Sequence, residues 1–248
     1  MTDQGGPEMT AEATLEQAAA GGAAFQAAAR DAAGRGGLTL PSGLPGWTRA
    51  YVVAHVARNA DALVNLLTWA RTGVPTPMYA SLDARAAQIE ADSRRPDGEL
   101  LDDLAAAGAR FDSAAAAITG DAWLAPVQTA NGKTIPAAAV PRLRTRETWV
   151  HAVDLGAAVT LADVPQPVTE LLLDDAVDGF AVRPDVPAIV LRPTDSTRNW
   201  VLGAAASDPA VEVSGATASL AAYVMGRPLP GPLEAGSGRP VPELPAWL

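Results

Sequence analysis

The residues most able to do chemistry in this chain are its two histidines and one glutamate. Glu147 lies four residues before His151, and the other histidine is His55. Residues four apart on a helix project from the same face, one turn from each other. With His55 supplied by a second helix, the set His, Glu, His is one that binds zinc and leaves a fourth position open. The alternative is that Glu147 and His151 form a solvated pair at helical spacing, with His55 an ordinary helix histidine.

Two charged residues flank this group at helical spacing. Asp154, three residues after His151, would hold the imidazole in place if that histidine binds a metal, because ligating histidines need such a partner. Arg144, three residues before Glu147, would bring a guanidinium that suits the carboxylates of a dianion. Each also fits a simpler interpretation: Asp154 as a solvated charge or cap, and Arg144 as a partner in surface ion pairs.

The histidines lie in segments with helical periodicity. Apolar residues at intervals of three and four predict five helices, and an Asn-Gly turn predicts a short hairpin from Val127 to Ile135. Proline at position 141 is tolerated only in the first turn of its helix. The predicted helices run from about Thr10 to Ala33, Thr48 to Arg71, Ser81 to Ser93, Leu100 to Ile118, and Ala137 or Val140 to Gly156. Facing helices of a bundle are a common place for a metal site.

The pattern changes after about Val159. A helix is predicted from Pro167 to Val182, and another from Thr217 to Met225. Short strands separated by turn residues are predicted at 188–192, 200–205 and 211–213, before a Pro/Gly-rich tail. The predicted fold class is therefore α+β. Its parts are a disordered tail at 1–9, a helical bundle at 10–159 and a small α/β domain at 160–248.

The composition narrows the classes of function. A formal net charge of −10 argues against nucleic-acid or anionic-membrane partners. No signal sequence or membrane span is visible, so a cytoplasmic protein is expected. The chain has no cysteine, which excludes disulfides, thiolate ligands and a cysteine nucleophile of its own. Any thiol chemistry would need a thiol brought in from outside.

Several stretches together resemble the mycothiol-dependent maleylpyruvate isomerases of the DinB-like superfamily. They are residues 44–63 around His55, Pro77-Met-Tyr79, residues 135–156, Met225-Gly-Arg-Pro228 and the closing Leu244-Pro-Ala-Trp-Leu248. The resemblance implies a DinB-like bundle of the four-helix type that carries a divalent metal, usually zinc, on His55, Glu147 and His151. It also implies a C-terminal domain similar to sterol-carrier modules.

The resemblance extends to further residues of the site. It associates Arg85 and Arg227 with activity, and Arg144 joins them as a candidate catalytic residue on the ligand face. Two positions depart from the family pattern: Tyr51 stands where glycine is usual, and Arg142 stands where an aromatic residue is expected.

The implied function is zinc- and mycothiol-dependent cis-trans isomerisation of maleylpyruvate to fumarylpyruvate, by reversible thiolate addition, in gentisate degradation. The expected partners are a small-molecule thiol and a dicarboxylate, with no protein partner. An S-transferase that joins mycothiol to another electrophile is an alternative on the same scaffold. A non-catalytic metal or ligand-binding module is an alternative of a different class.

Overall fold

The chain forms two compact units, which divide between Ala158 and Val159. The computed structural model describes residues 11–181, 183–203 and 210–247. The predicted disordered tail, residues 1–9, lies outside the described residues. None of the helices in the described ranges has the length and apolar character needed to cross a membrane. The mixture of a helical unit with a small α/β unit confirms the predicted α+β class.

In the described residues of the first unit, from position 11 onward, the chain forms five α-helices and a hairpin, which confirms the elements predicted there. The short hairpin pairs Val127 with Ile135. Two 3-10 turns, Gly120–Leu124 and Ala137–Ala139, flank that hairpin. The helices and strands are α1 (Ala11–Gly34), α2 (Arg49–Thr72), α3 (Leu82–Asp92), α4 (Asp97–Ala116), β1 (Pro126–Gln128), β2 (Thr134–Pro136) and α5 (Val140–Asp154).

Local interactions explain where the two helices that carry the histidines, α2 and α5, begin and where α2 ends. The Thr48 hydroxyl accepts a hydrogen bond from the backbone N–H of Tyr51 at 3.2 Å and so begins α2. Gly73, in the left-handed conformation at φ 71°, ends that helix. Pro141 stands in the first turn of α5, where a missing N–H costs nothing. His55 therefore lies in the second turn of a well-capped helix.

Four of the helices pack as a bundle around one apolar core. Helix α1 contacts α4 and α5, α2 contacts the same two helices, and α3 lies against α2. Arg58 of α2 links three helices, because its guanidinium lies 3.0 Å from Asp92 and 2.7 Å from Asp103. Almost completely buried side chains of this core include Phe25, Leu63, Leu66, Leu67, Leu100 and Leu104.

The loop between α1 and α2 is fastened to the end of α5. The backbone N–H of Gly43 donates to the Asp154 carbonyl at 2.7 Å. The buried Arg49 guanidinium donates to the carbonyls of Leu155 and Gly156 at 3.1 and 3.2 Å, which satisfies helix-end acceptors. These bonds hold the start of α2 beside the end of α5, and hence the two histidine-bearing segments next to each other.

The second unit combines two helices with a four-stranded sheet of order β4-β3-β5-β6. Strands β3 and β5 are parallel and the other pairs are antiparallel. Helix α7 packs on α6 and contacts β3 and β5. The elements are the 3-10 turns Leu161–Asp163 and Gly236–Gly238, α6 (Gln166–Phe180), β3 (Ile189–Pro193), β4 (Trp200–Leu202), β5 (Val211–Gly215), α7 (Thr217–Met225) and β6 (Glu234–Ala235).

The last segment of the chain holds a strand and a 3-10 turn that the sequence pattern does not predict. It was predicted as a Pro/Gly-rich tail, yet Glu234 and Ala235 form an edge strand paired with Ser214 and Val213. A two-residue strand has no periodicity of its own, so only its neighbour in the sheet defines it. Residues 204 and 205, predicted as the end of a strand, lie outside the described residues.

We expect Gly156→Ala to destabilise the first unit more than Gly46→Ala. Both glycines have positive φ, 62° and 79°, which costs an alanine about 1 kcal/mol. An added Cβ at Gly46 meets nothing within 4 Å, whereas at Gly156 it meets the Gly43 backbone nitrogen at 3.1 Å. Urea denaturation of both variants measures the difference, for which we expect about 1 kcal/mol or more. Equal losses would contradict the close approach of these two backbones.

Candidate metal centre

Three ligand atoms from two helices converge in the first unit. His55 Nε2 lies 3.1 Å from Glu147 Oε2, and His151 Nε2 lies 3.6 Å from the same oxygen. The ligand atoms of all three residues lie within 4.8 Å of one another. In the part of the chain that the structure describes, this is the one cluster of three His, Cys, Asp or Glu side chains that has such a spacing.

The protonation of the cluster follows from burial and hydrogen bonding. Burial alone would raise the pKa of Glu147, but the His151 ring 3.6 Å away and a hydrogen bond from His55 hold it well below its usual range. Burial opposes the charge on His151 too, yet Asp154 and Glu147 raise the pKa of His151 to about 9. The metal-free cluster therefore contains a carboxylate and an imidazolium.

His55 differs from His151 in both charge and partner. Burial lowers the pKa of His55, and the nearby charges of His151 and Arg85 lower it further. Arg85 Nη2 lies 2.8 Å from His55 Nδ1. A guanidinium only donates hydrogen bonds, so this ring nitrogen accepts and His55 is neutral. Arg85, which the resemblance associates with activity, thus contacts one of the candidate ligands, and its part in the reaction stays a prediction.

Asp154 acts on the opposite side of His151. Its carboxylate oxygen Oδ2 lies 3.0 Å from His151 Nδ1, and the residue is 2% exposed. The same residue accepts the Gly43 N–H through its backbone carbonyl. Asp154 therefore fixes the orientation of the His151 ring while the loop before α2 fixes Asp154. Of the two interpretations made from the sequence, the structure supports the one in which Asp154 orients the imidazole.

The aromatic ring of Trp47 covers the two histidines, a role that its residue type does not predict. The half-buried Trp47 ring lies 5.6 Å from the His55 ring and 6.5 Å from the His151 ring, nearly parallel to the latter. Tyr51 packs on Trp47 with ring centres 4.5 Å apart. A lone tryptophan before an N-cap carries no chemical signal in the sequence, so only its proximity reveals this role.

Two more polar residues, which their types alone did not single out, extend the site: Tyr79 lies beside Arg85, and Asn59 lies beside Tyr79. The Arg85 guanidinium lies 5.4 Å from the centre of the Tyr79 ring. Burial raises the pKa of Tyr79, while hydrogen bonds with Arg85 and Asn59 oppose that rise. Asn59 is 6% exposed and stands four residues after His55 on α2. That helical spacing was the signal that could have identified it.

Arg144 is not among the hydrogen-bonded partners of the cluster. The residue is 3% exposed, and its guanidinium donates to the Val56 carbonyl at 2.9 Å and lies 5.9 Å from the Phe111 ring centre. It also lines a crevice of about 150 Å³ together with residues of α1 and α4, among them Gln26 and Asp112. The simpler sequence interpretation of Arg144, a surface ion pair, is therefore wrong, because this side chain is buried.

The third arginine expected to matter, Arg227, belongs to the second unit. It follows α7, and its Nη1 atom donates to the Met225 carbonyl at 2.6 Å. Its part in the reaction stays a prediction.

The donor set fits a divalent metal of the zinc type. Four-coordinate zinc with bonds of about 2.1 Å places neighbouring ligand atoms about 3.4 Å apart. The two measured separations to Glu147 Oε2 are 3.1 and 3.6 Å, close to that value on either side. One carboxylate and two imidazoles leave room for a fourth ligand, as catalytic zinc sites require.

The fold and this cluster define a class of protein in which a helical bundle with an open His-Glu-His site is joined to a small α/β unit. The family described as "Mycothiol maleylpyruvate isomerase N-terminal domain" matches residues 15–156. The chain therefore belongs to the mycothiol-dependent maleylpyruvate isomerase family, which confirms the resemblance read from the sequence.

Solved structures extend the likeness to both units. The chain is 35% identical to a mycothiol-dependent maleylpyruvate isomerase, with a TM-score of 0.87, over 96% of this chain and 98% of the other. A variant of such an enzyme with a histidine replaced by alanine gives 34% identity and a TM-score of 0.86 over the same shares. No match was found among curated proteins.

We expect Arg144→Met to raise the free energy of unfolding by about 1 kcal/mol. Burial lowers the pKa of Arg144 to about 10, which means that the folded state disfavours the charged guanidinium. Methionine removes that cost and fills similar space. Urea denaturation measures the change, with the exposed Arg110→Met as a control that we expect to shift stability by less than about 1 kcal/mol. A clear loss of stability in Arg144→Met would show that the bond to Val56 outweighs the cost of burying the charge.

Proposed function

We propose that this chain is a mycothiol-dependent maleylpyruvate isomerase that binds zinc, or another divalent metal, through His55, Glu147 and His151. The observation that carries the metal assignment is the convergence of three ligand atoms on one small volume. Family membership supports the reaction, the conversion of maleylpyruvate to fumarylpyruvate. A cytoplasmic role in gentisate degradation is part of the same proposal.

The bound metal would supply a Lewis-acid position at which an external thiol ionises and becomes a nucleophile. The lack of cysteine in the chain fits a reaction that borrows its sulfur. Reversible addition of a thiolate to the cis double bond makes that bond single, and elimination after rotation gives the trans isomer.

The residues of the chain hold the reactants and control their surroundings. Glu147 gives the site a negative charge that offsets a dication, and Asp154 holds the ring of His151 through Nδ1. The Arg85 guanidinium is the cation nearest to His55 and suits a carboxylate of the substrate. Trp47 covers one side of the two histidines and limits access of water to them.

The test is to compare Glu147→Gln with Glu99→Gln for zinc content and for isomerase turnover. Glu147→Gln keeps the size of the side chain but removes the charge that a dication needs, so we expect loss of stoichiometric zinc and a fall in turnover of about 1000-fold. Glu99 is an exposed residue of α4 paired with Arg95, and its variant should match the wild type in both assays. Zinc is measured by elemental analysis, and turnover by loss of the substrate's enol absorbance with mycothiol present.

Other results would point to other functions. Retention of stoichiometric zinc in Glu147→Gln would contradict the ligand assignment. Zinc-loaded wild type that forms a stable mycothiol conjugate with another electrophile, and does not isomerise maleylpyruvate, would identify an S-transferase. Zinc binding with no thiol-dependent reaction at all would identify a binding module.

A further inference from the structure

The contact between Arg85 and His55 assigns the proton on the His55 ring. Arg85 Nη2 lies 2.8 Å from Nδ1, and a guanidinium has no acceptor. Nδ1 therefore carries the lone pair, and the proton of the neutral ring is on Nε2. That N–H points at Glu147 Oε2, 3.1 Å away, which completes a hydrogen bond.

Metal binding through Nε2 requires the opposite arrangement of the same ring. Nε2 must then present its lone pair, and Nδ1 must carry the proton and donate it to an acceptor. Arg85 cannot accept that proton, so its present contact and a metal on Nε2 exclude each other. His151 has no such conflict, because its Nδ1 already faces the Asp154 carboxylate at 3.0 Å.

An acceptor without a partner lies one helical turn from His55. The side-chain oxygen of Asn59 is buried, and among the described residues nothing donates a hydrogen bond to it. Positions four apart on a helix are neighbours on its surface, so this oxygen belongs to a residue adjacent to the His55 ring. A buried carbonyl without a donor destabilises the fold, and such groups in native proteins call for an explanation.

We propose that His55 exchanges hydrogen-bond partners when a metal binds: Asn59 accepts the new Nδ1–H, and the Arg85 guanidinium is released to bind a carboxylate of the substrate. The ring stays neutral, since one proton leaves Nε2 and one is taken up by Nδ1. Asn59 is in this view a positioning residue that does for His55 what Asp154 does for His151. The inference rests on the metal site proposed above and deepens it.

The surroundings of Arg85 fit such a release. Its guanidinium already lies over the Tyr79 ring, 5.4 Å from the ring centre, which keeps the cation in the site after it leaves His55. A guanidinium held by the imidazole has fewer donors free for a dicarboxylate. Metal loading would therefore prepare the protein for an anionic substrate, and a metal-free protein would bind that substrate poorly.

The two histidines allow a direct test by NMR of protein labelled with ¹⁵N-histidine, in which only four ring nitrogens are visible. In the metal-free protein we expect His55 to be protonated on Nε2 and not on Nδ1. After one equivalent of zinc we expect both histidines to be protonated on Nδ1 and coordinated through Nε2. If zinc changes neither ring, the proposed metal site fails and this inference fails with it. If zinc coordinates His55 while its Nδ1 stays unprotonated, the inference alone is overturned.

Substitution of Asn59 tests its role separately from the reaction. Competition with a chelator should show zinc binding about 10-fold weaker in Asn59→Ala, whereas Asn59→Asp keeps an acceptor and should bind zinc as tightly as the wild type or more tightly. Equal zinc affinity in Asn59→Ala and the wild type would overturn the role of Asn59 and leave the metal site intact. If the alanine variant does not fold, the zinc affinity of the aspartate variant and the NMR spectra of the wild type still test whether Asn59 accepts the His55 Nδ1–H.

Arg85 opposes metal binding in this proposal, so its removal should raise the affinity for zinc, whereas removal of the Asn59 amide should lower it. Arg85→Met should bind zinc more tightly than the wild type, because the contact that blocks the metal-binding tautomer is gone. Part of any gain comes from removal of a positive charge, for which Arg146→Met is the matched control, since Arg146 lies 3.4 Å from Glu147 Oε1. A gain in Arg85→Met no larger than that in Arg146→Met would contradict the exchange at His55.

Discussion

The half-buried Glu147 carboxylate is the group on which the site depends. One of its oxygens faces a histidine from α2 and a histidine from α5, so it links the two helices that carry the candidate ligands. A carboxylate that is largely shielded from water destabilises the fold unless cations or donors surround it, and here two histidine rings and Arg146 do so. The charge that would attract a metal thus also holds the metal-free cluster together.

Asp154, beside the cluster, likewise makes two contacts that position different parts of the site. Asp154 orients His151 through its side chain and anchors the loop before α2 through its backbone carbonyl. One residue therefore determines both the position of that loop and the orientation of the histidine ring. Arg49 also holds the start of α2 beside the end of α5, because its guanidinium donates hydrogen bonds to the carbonyls of Leu155 and Gly156. Apolar attraction between helices is non-directional, whereas hydrogen bonds require particular distances and angles. These polar bonds give the two ligand-bearing helices one relative position.

Two polar groups in the first unit are buried in a way that lowers stability. Burial lowers the pKa of Arg144, and among the described residues no donor reaches the side-chain oxygen of Asn59. Such groups are uncommon in parts of a protein that only need to be stable. Their position on the two ligand-bearing helices fits a site in which function, and not stability, determines the polar residues.

The sequence by itself determined the helices, the α+β class and which three residues are the candidate metal ligands. Helical periodicity is a local property, and a chain with two histidines offers few combinations of ligands. The family resemblance added Arg85, which local chemistry alone would not have selected. Tertiary structure decided what spacing cannot express: that Trp47 covers the histidines, that Arg85 meets the ring nitrogen opposite the cluster, and that Arg144 packs against Phe111. These contacts join residues far apart in the chain, and only packing of the helices brings such residues together.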